Sequence, residues 1–234
     1  MINFIILLLV VVFIWFLIAH IDKSSNKTTS IAACPYCGVI LNKIPKRKTK
    51  CPECKEYIYV RSKQTLFSSH FLTKEDAVAV DAMRELAGFG IDKNHYSRKK
   101  ANLSKKFGQE PNSQDVIWGL YNNLISKVQD YNEASMIYYS MALFLNKLGK
   151  PYFSVLKQSR KAELKGINKR IIKAVRIQNS GDSCEACKTI DAKIFTVEQA
   201  LKEMPLPCKE CTYSLQGGKP GFCRCYYELI IDED

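Results

Sequence analysis

The sequence predicts a mainly α-helical fold with a helical bundle in the middle, two small β-rich modules, and a single transmembrane helix at the N-terminus. Three observations predict it: one long apolar stretch, two separate groups of paired cysteines, and apolar residues at helical spacing between those groups. The cysteine groups indicate zinc-bound modules, and 234 residues are enough to bury a helical core as well. The expected segments are an anchor at 1–22, a linker at 23–32, a first cysteine module at 33–61, a helical domain at 66–170 and a cysteine-rich zinc module at 171–234.

Residues 4–21 are almost entirely apolar and predict the transmembrane helix. At a rise of 1.5 Å per residue, this stretch is about long enough to cross a hydrocarbon core of roughly 30 Å. No Lys or Arg precedes it, whereas Lys23, Lys27 and a dense basic run follow. The positive-inside rule therefore predicts a single-pass membrane protein with its N-terminus outside and its later domains in the cytoplasm. A cleaved signal peptide is the alternative, but a basic n-region and an A-x-A cleavage site are missing.

The charge of the chain favours an anionic partner. Its 35 Lys and Arg residues against 23 Asp and Glu residues give a net charge of +12. The basic residues crowd at 43–63, 93–106 and 147–176. Such a balance attracts polyanions, either nucleic acid or the anionic headgroups of a membrane surface, and charge alone does not choose between them.

The first cysteine module contains two Cys-x-x-Cys pairs, Cys34-Pro-Tyr-Cys37 and Cys51-Pro-Glu-Cys54, with thirteen residues between them. Two such pairs at this separation can bring four thiolates to one tetrahedral zinc, with sulfur about 2.3 Å from the metal. Residues 33–61 resemble the zinc-ribbon family in these motifs. Because four cysteines leave no open coordination position, the expected zinc is structural. In a reducing, cytoplasmic compartment such pairs bind metal rather than form disulfides.

The segment between the two pairs is strongly basic and is expected to contact polyanions. The candidate residues are Lys46, Arg47, Lys48 and Lys50, which could contact the phosphates of nucleic acid or of lipid headgroups. The alternative is a solvated loop tip, since charge runs commonly have no other role. The closeness of the segment to the predicted membrane span favours lipid.

Residues 66–170 predict a small helical bundle. Thr73 and Asp76 form an imperfect capping box for its first helix. Two further helices each carry one apolar stripe, and Gly149 ends the second of these while Pro151 can open another helix. The stripes consist of Ile117, Leu120, Tyr121, Leu124, Ile125 and Val128, and of Ala134, Ile137, Tyr138, Met141, Ala142, Leu145 and Leu148.

Six cysteines in three pairs mark the C-terminal module, and they exceed the four ligands of one tetrahedral zinc. Either four thiols bind one zinc and two stay spare, or six thiols share two metals; the spacing favours the first arrangement. With the first module, this gives two zinc ions per chain. The expected ligands are Cys184, Cys187, Cys211 and one of Cys223 and Cys225, with Cys208 spare.

Several landmarks of this module recur in a known protein family. They are Ser180-Gly-Asp-Ser-Cys-Glu-Ala-Cys187, Asp191, Phe195, Pro205-Leu-Pro207 and Cys223-Arg-Cys225. In these features the module resembles the C-terminal signature of phage Mu-type minor head (MuF-like) proteins. Where those proteins have His-Pro-Asn-Cys-Arg-Cys, this chain has Cys211, an inserted loop, and Gly221-Phe-Cys-Arg-Cys225. The resemblance implies a shared metal-binding module rather than a head protein, with a role in phage interaction or defence.

The expected function is a membrane-anchored, zinc-binding adaptor without enzymatic activity, which contacts lipid through residues 4–21 and an unknown cytosolic protein through its helical domain. A membrane-tethered nucleic-acid-binding protein is the first alternative, because of the basic charge. A metal-dependent, nuclease-like enzyme in the C-terminal module is the second, and it requires a water-bound metal with three protein ligands. A zinc deaminase is disfavoured because the upstream ligand and its Glu are missing. Redox chemistry is disfavoured because the pairs occur in sets that can complete a metal shell.

Overall fold

The computed structural model describes residues 32–215, 219–220 and 222–231, which form seven helices and eight strands. The helices are α1 (Lys74–Ala87), α2 (Lys93–Phe107), α3 (Ser113–Ile125), α4 (Tyr131–Leu148), α5 (Phe153–Lys165), α6 (Glu185–Lys188) and α7 (Val197–Glu203). The strands are β1 (Thr49–Lys50), β2 (Tyr57–Val60), β3 (Phe71–Leu72), β4 (Ile172–Gln178), β5 (Ile194–Thr196), β6 (Ser214–Leu215), β7 (Lys219–Pro220) and β8 (Tyr226–Ile231). Five consecutive helices thus separate two β-containing modules.

The described helices contradict two predictions: the fold class, which included a transmembrane helix, and the localisation in a membrane. The longest, α4, has 18 residues and covers about 27 Å, but it carries Glu133, Asn146 and Lys147 among its apolar side chains. No helix within the described ranges is long and apolar enough to cross a membrane. This finding contradicts the prediction of a single-pass membrane protein. The stretch on which that prediction rested, residues 4–21, lies outside the described residues.

The N-terminal module is a three-stranded antiparallel sheet in the order β1-β2-β3. Because side chains alternate along a strand, Ile58 of β2 is fully buried while the preceding Tyr57 is exposed. An isolated antiparallel bridge joins Ala33 to Ile40 across the first cysteine turn. The buried residues of this module are Ala32, Cys34, Cys51, Ile58 and Phe71. Two cysteines therefore belong to the same core that the sheet covers.

The helical domain comprises α1 to α5, and the buried residues of its main apolar core come from α1 to α4. Four of its helices, α1 to α4, begin at side-chain caps. In α1, Thr73 Oγ1 accepts the Asp76 N–H at 3.1 Å, and in α3, Asn112 Oδ1 accepts the Asp115 N–H at 2.8 Å. Gly149, with φ of +73°, ends α4. The core residues are Val78, Ala79, Ala82, Leu86, Tyr96, Val116, Ile117, Leu120, Tyr121, Ile137, Met141 and Phe144.

The C-terminal module is built on an antiparallel sheet in the order β5-β4-β8. In the central strand β4, Val175 lies opposite Phe195 on one side and Leu229 on the other. Helix α7 packs against β4 and β5, and β6 and β7 form a separate antiparallel pair. The buried residues of the module are Leu164, Val175, Ile177, Cys187, Val197, Ala200, Leu206, Cys208, Cys223, Cys225 and Tyr227. Four buried cysteines are thus part of the core under the sheet.

The N-terminal module is joined to helix α1 by two polar contacts. Arg61 donates from Nη2 and Nε to the Asp81 carboxylate at 2.7 and 3.0 Å. The Tyr36 hydroxyl accepts the backbone N–H of Lys74, in the first turn of α1, at 2.9 Å. These contacts fix the first cysteine turn and the end of β2 against the same helix.

The C-terminal module is joined to the helical hairpin of α4 and α5 by an aromatic anchor. Phe222 is buried, and its ring centroid lies 5.4 Å from that of Tyr139 and 5.6 Å from that of Tyr152. Three residues later, the Cys225 carbonyl accepts a hydrogen bond from Arg160 Nη2 at 2.8 Å. The cysteines at 223 and 225 are therefore held between this anchor and strand β8.

Candidate metal centres

The four cysteines of the N-terminal module converge on one point. Their Sγ atoms all lie within 4.8 Å of one another. Cys34 Sγ is 3.7 Å from Cys54 Sγ, and Cys37 Sγ is 3.7 Å from Cys51 Sγ. A tetrahedral metal with sulfur ligands at about 2.3 Å requires sulfur–sulfur distances of about 3.8 Å. The thiols thus have the arrangement of a four-ligand metal shell and could hold a metal ion.

The two turns that present these thiols have the same backbone geometry. The N–H of Cys34 donates to the carbonyl of Val39 at 2.9 Å, and the N–H of Cys51 donates to the carbonyl of Glu56 at 2.8 Å. In each turn the residue just after the second cysteine has a left-handed backbone, with φ of +75° at Gly38 and +62° at residue 55. Two equivalent turns thus face each other across the site.

Hydrogen bonds within the turns favour an ionised thiol in this module. Burial raises the pKa of Cys51, but the backbone N–H groups of Cys54 and Glu53 outweigh it and lower the pKa to about 7. The Glu56 N–H acts to lower the pKa of Cys54, but burial and the neighbouring thiols raise it to about 12. The Cys51 thiolate therefore places a negative charge where a cation would be bound.

Five of the six cysteines of the C-terminal module form two overlapping groups. In each group the three Sγ atoms lie within 4.8 Å of one another. Cys184 Sγ is 3.8 Å from Cys211 Sγ in the first group, and Cys187 Sγ is 3.9 Å from Cys223 Sγ in the second. Both distances again fit the edge of a sulfur tetrahedron. The groups are Cys184, Cys187 and Cys211, and Cys187, Cys223 and Cys225.

The two groups differ in depth. Cys184 and Cys211 are half-buried, whereas Cys187, Cys223 and Cys225 are at most 3 % exposed. The first group is therefore the outer group of the module and the second is the buried group. Cys187, which follows the start of α6, belongs to both.

Cys208 lies outside both groups but contacts the buried one. Its thiol is buried, and its backbone N–H donates to Cys223 Sγ at 3.4 Å. The thiol lies 3.9 Å from Glu210 Oε2. The structure thus places the sixth cysteine beside Cys223 but outside both groups of sulfurs.

Each of the two groups contains one thiol that ionises readily. Burial raises the pKa of Cys184, but the N–H groups of Cys187 and Thr212 lower it to about 6. The Cys225 thiol is the main cause that lowers the pKa of Cys223 to about 5. Burial raises the pKa of Cys187 well above its ordinary value. Each group therefore has an anionic sulfur to bind a cation.

Three polar side chains connect the segments that carry the C-terminal cysteines. The Tyr213 hydroxyl donates to Asp182 Oδ2 at 2.9 Å, and Arg224 Nη1 donates to the same oxygen at 3.2 Å. Arg224 Nη1 also lies 2.7 Å from the Tyr213 hydroxyl. Each residue is within two positions of a cysteine. Sequence reasoning missed this connection, for which the Arg between two cysteines was the one visible signal.

The basic segment of the N-terminal module presents its predicted residues on the surface. Lys46, Arg47, Lys48 and Lys50 are all exposed. Lys48 Nζ lies 4.1 Å from the ring centroid of Tyr57 and 4.9 Å from that of Tyr59. Lys50 Nζ lies 5.2 Å from the Tyr57 centroid. These tyrosines were not predicted to take part, and with the four basic residues they form a basic aromatic face.

Comparison of the chain with protein-family models, with curated proteins and with solved structures finds no match. The resemblances to zinc ribbons and to MuF-like proteins therefore stay predictions. What the structure establishes on its own is that cysteines in both the N-terminal and the C-terminal module lie close enough together to hold metal.

Proposed function

We propose that this protein is a zinc-binding, non-enzymatic interaction protein, in which metal-bound thiolates fold the two modules that flank the helical domain. The observation that carries the proposal is the sulfur geometry. In both modules the shortest distances between Sγ atoms are 3.7 to 3.9 Å, which agrees with the edge of about 3.8 Å expected for tetrahedral zinc.

The donor set favours zinc among the metals of the cell. Thiolates are soft ligands that select zinc, copper(I) or iron–sulfur clusters, and separate tetrahedral sets of cysteines are typical of structural zinc. When bound, zinc would neutralise thiolates and cross-link distant chain segments. The cysteines are part of the apolar cores of their modules, so binding and folding are coupled here. In such a protein the exposed surface, rather than the metal, would contact the partner.

The test is the zinc content of the full chain, measured by elemental analysis with two paired substitutions. Replacing Cys34 and Cys37 by Ser is expected to remove the metal of the N-terminal module alone. Replacing Cys184 and Cys187 by Ser is expected to remove metal from the C-terminal module alone. A metal-dependent hydrolytic activity that the second pair abolishes would overturn the non-enzymatic proposal, and zinc-free protein would overturn the metal assignment.

A second candidate function, binding of single-stranded nucleic acid, is favoured by the basic aromatic face. Of its four exposed basic residues, Lys48 lies beside the Tyr57 and Tyr59 rings and Lys50 lies beside the Tyr57 ring. Lysines neutralise phosphates, and exposed aromatic rings stack on bases without requiring a particular sequence. The net charge of +12 would add long-range attraction.

Salt dependence tests this second candidate. In fluorescence anisotropy with a labelled single-stranded oligonucleotide, the affinity should fall steeply as salt rises. Replacing the four basic residues by Ser should reduce the slope of log affinity against log salt by about 3, at roughly 0.7 per phosphate contact. The matched control replaces four exposed lysines elsewhere by Ser, at Lys127, Lys157, Lys202 and Lys209. Equal losses in both variants, or no binding, would exclude this face as the site.

A further inference from the structure

We propose that helix α2 binds double-stranded DNA, with one exposed face of the helix in the major groove. Such a surface depends on no metal and involves neither cysteine module, so it lies beyond the zinc-binding function. It is also a different surface from the basic aromatic face, to which the second candidate function assigns single strands. The basic run at 93–106, which neither function uses, lies within α2.

The charge of α2 differs from that of every other helix in the described part of the chain. Helix α2 contains five lysines and one arginine but no Asp or Glu, whereas each of the other six described helices contains at least one acidic residue. A solvated helix face commonly carries both signs of charge, which pair along the helix. The one-sided charge of α2 therefore favours an anion from outside the helix.

Four of these six cations have no carboxylate partner among the described residues. Lys100 pairs with Glu110, and Lys99 Nζ donates to Asn123 Oδ1 at 3.1 Å. The other four side chains form no ion pair within the described part of the chain, and all four residues are exposed. They are Lys93, Arg98, Lys105 and Lys106. Their charges are therefore available to an anionic partner.

One face of α2 points away from the helical domain. On the inner side Tyr96, the one fully buried residue of the helix, packs edge-on against Phe67 with the ring centroids 6.5 Å apart. The exposed residues on the opposite side recur at i, i+3, i+4, i+7, i+8 and i+11, so they form one stripe along the helix. They are Asn94, Ser97, Arg98, Ala101, Asn102 and Lys105.

The side chains of this stripe suit the floor of the major groove. Arginine can bond guanine at O6 and N7, and asparagine can bond adenine at N6 and N7. Ser97 and Ala101 are small, so the helix backbone can approach the bases closely. By helical geometry Lys93 and Lys106 lie on either side of the stripe, where they can reach the phosphates. The stripe thus has groups for the base edges and its flanks have groups for the backbone of DNA.

The composition of the stripe favours duplex DNA over other polyanions. A helix that lies on a membrane buries an apolar face in the acyl boundary, and the stripe has no large apolar residue. Single strands stack on exposed aromatic rings, which the stripe also lacks. An α-helix about 10–12 Å wide matches the major groove of B-DNA at about 12 Å, whereas the major groove of duplex RNA is too deep and narrow.

The test is fluorescence anisotropy of the full chain with a labelled DNA duplex of about two helical turns, at several salt concentrations. The test variant replaces three lysines of α2 by Ser, at Lys93, Lys105 and Lys106. The slope of log affinity against log salt should fall by about 3, at roughly 0.9 per phosphate contact. The matched control replaces three exposed lysines elsewhere by Ser, at Lys157, Lys202 and Lys209. Equal losses in both variants, or absence of duplex binding, would overturn the proposal. Binding of anionic phospholipid vesicles without binding of the duplex would overturn it in favour of a membrane surface.

Modified duplexes test the groove. Replacing guanine by 7-deazaguanine removes the N7 acceptor from the major groove, and replacing it by inosine removes the amino group from the minor groove. The unsubstituted chain should lose affinity by about fivefold or more on the first duplex and little on the second. Arg98→Lys keeps the charge but not the bidentate fork, so this variant should keep the salt slope and bind the ordinary and the 7-deazaguanine duplex equally. If the unsubstituted chain binds all three duplexes equally, or Arg98→Lys still distinguishes them, α2 does not contact base edges in the major groove.

Discussion

At the scale of single residues, the two cysteine turns of the N-terminal module differ in one position that should affect stability. The left-handed residue is a glycine in the first turn, Gly38, and a lysine in the second, Lys55. Glycine adopts this backbone freely, whereas a residue with a Cβ atom is strained by about 1 kcal/mol. The second turn therefore stores strain that the first turn does not.

We predict that Lys55→Gly stabilises the second turn by about 1 kcal/mol and that Gly38→Ala destabilises the first by a similar amount. A Cβ atom at Gly38 would meet nothing within 4 Å, so backbone strain alone changes there. Hydrogen exchange of the Cys34 and Cys51 amides in metal-loaded protein measures both effects, because each amide bonds across its own turn. Lys55→Ala is the control and should leave Cys51 unchanged. Faster exchange of Cys51 in Lys55→Gly would contradict the prediction.

The cysteine pairs could be recognised from the sequence, but the way the six C-terminal thiols group in space could not. A Cys-x-x-Cys spacing fixes how two neighbouring sulfurs lie, since a short turn allows few conformations. The long loops between the pairs do not fix how the sulfurs of one pair lie relative to those of another. The central place of Cys187, and the contact of Asp182 with Tyr213 and Arg224, arise only when the sheet and α6 bring these loops together.

At the scale of secondary structure, helix α2 shows where pattern recognition failed. Among its residues only Tyr96 is fully buried, so it has no continuous apolar stripe. The residues that mark this helix lie at its ends, where Asp92 and His95 form a capping box at the start and Gly108, with φ of +69°, ends it. Helices α1, α3 and α4 each place a row of apolar residues in the core, which the sequence displays directly. Strands β4 and β8 pair across many intervening residues, and local patterns do not reveal such pairing.

We predict that Asp92→Ala loosens the start of α2 at neutral pH but has little effect in acid. The His95 backbone N–H, and then its ring, bond to the carboxylate and lower the pKa of Asp92. A carboxylate with a lowered pKa stabilises the folded state above the ordinary Asp value, and the contribution is lost as pH falls through the lowered pKa. Amide exchange in α2 should therefore differ between variant and parent near pH 6, and the difference should shrink as the pH falls below the ordinary Asp pKa and through the lowered pKa of Asp92. Asp92→Asn, which preserves a capping side chain, should stay close to the parent at pH 6.

At the scale of the whole molecule, the C-terminal module and the helical domain share one buried anchor. Phe222 packs with Ala142 of α4 and Leu156 of α5, while two tyrosine rings lie against it. One position after it comes Cys223. Loss of metal from the module should therefore be transmitted to the hairpin of α4 and α5.

Truncating this anchor is expected to destabilise the protein as a whole. Phe222→Ala removes a ring that is 6 % exposed, and truncations of this kind cost about 3 to 5 kcal/mol in a packed core. Urea unfolding followed by circular dichroism, with metal in excess, measures the change. Phe107→Ala is the matched control, because its ring is 60 % exposed and its loss should have little effect. Equal midpoints for the two variants would show that the anchor contributes nothing.

The position of β8 in the C-terminal sheet has a consequence for synthesis. On the ribosome the chain emerges in sequence order, so the three thiols of the outer group are all available once Cys211 has left the exit tunnel. The buried group is complete only when Cys225 follows, directly before the strand that pairs with β4. A growing chain can thus bring the outer thiols together early, while the buried group of thiols and the closure of the sheet must wait for the same few residues.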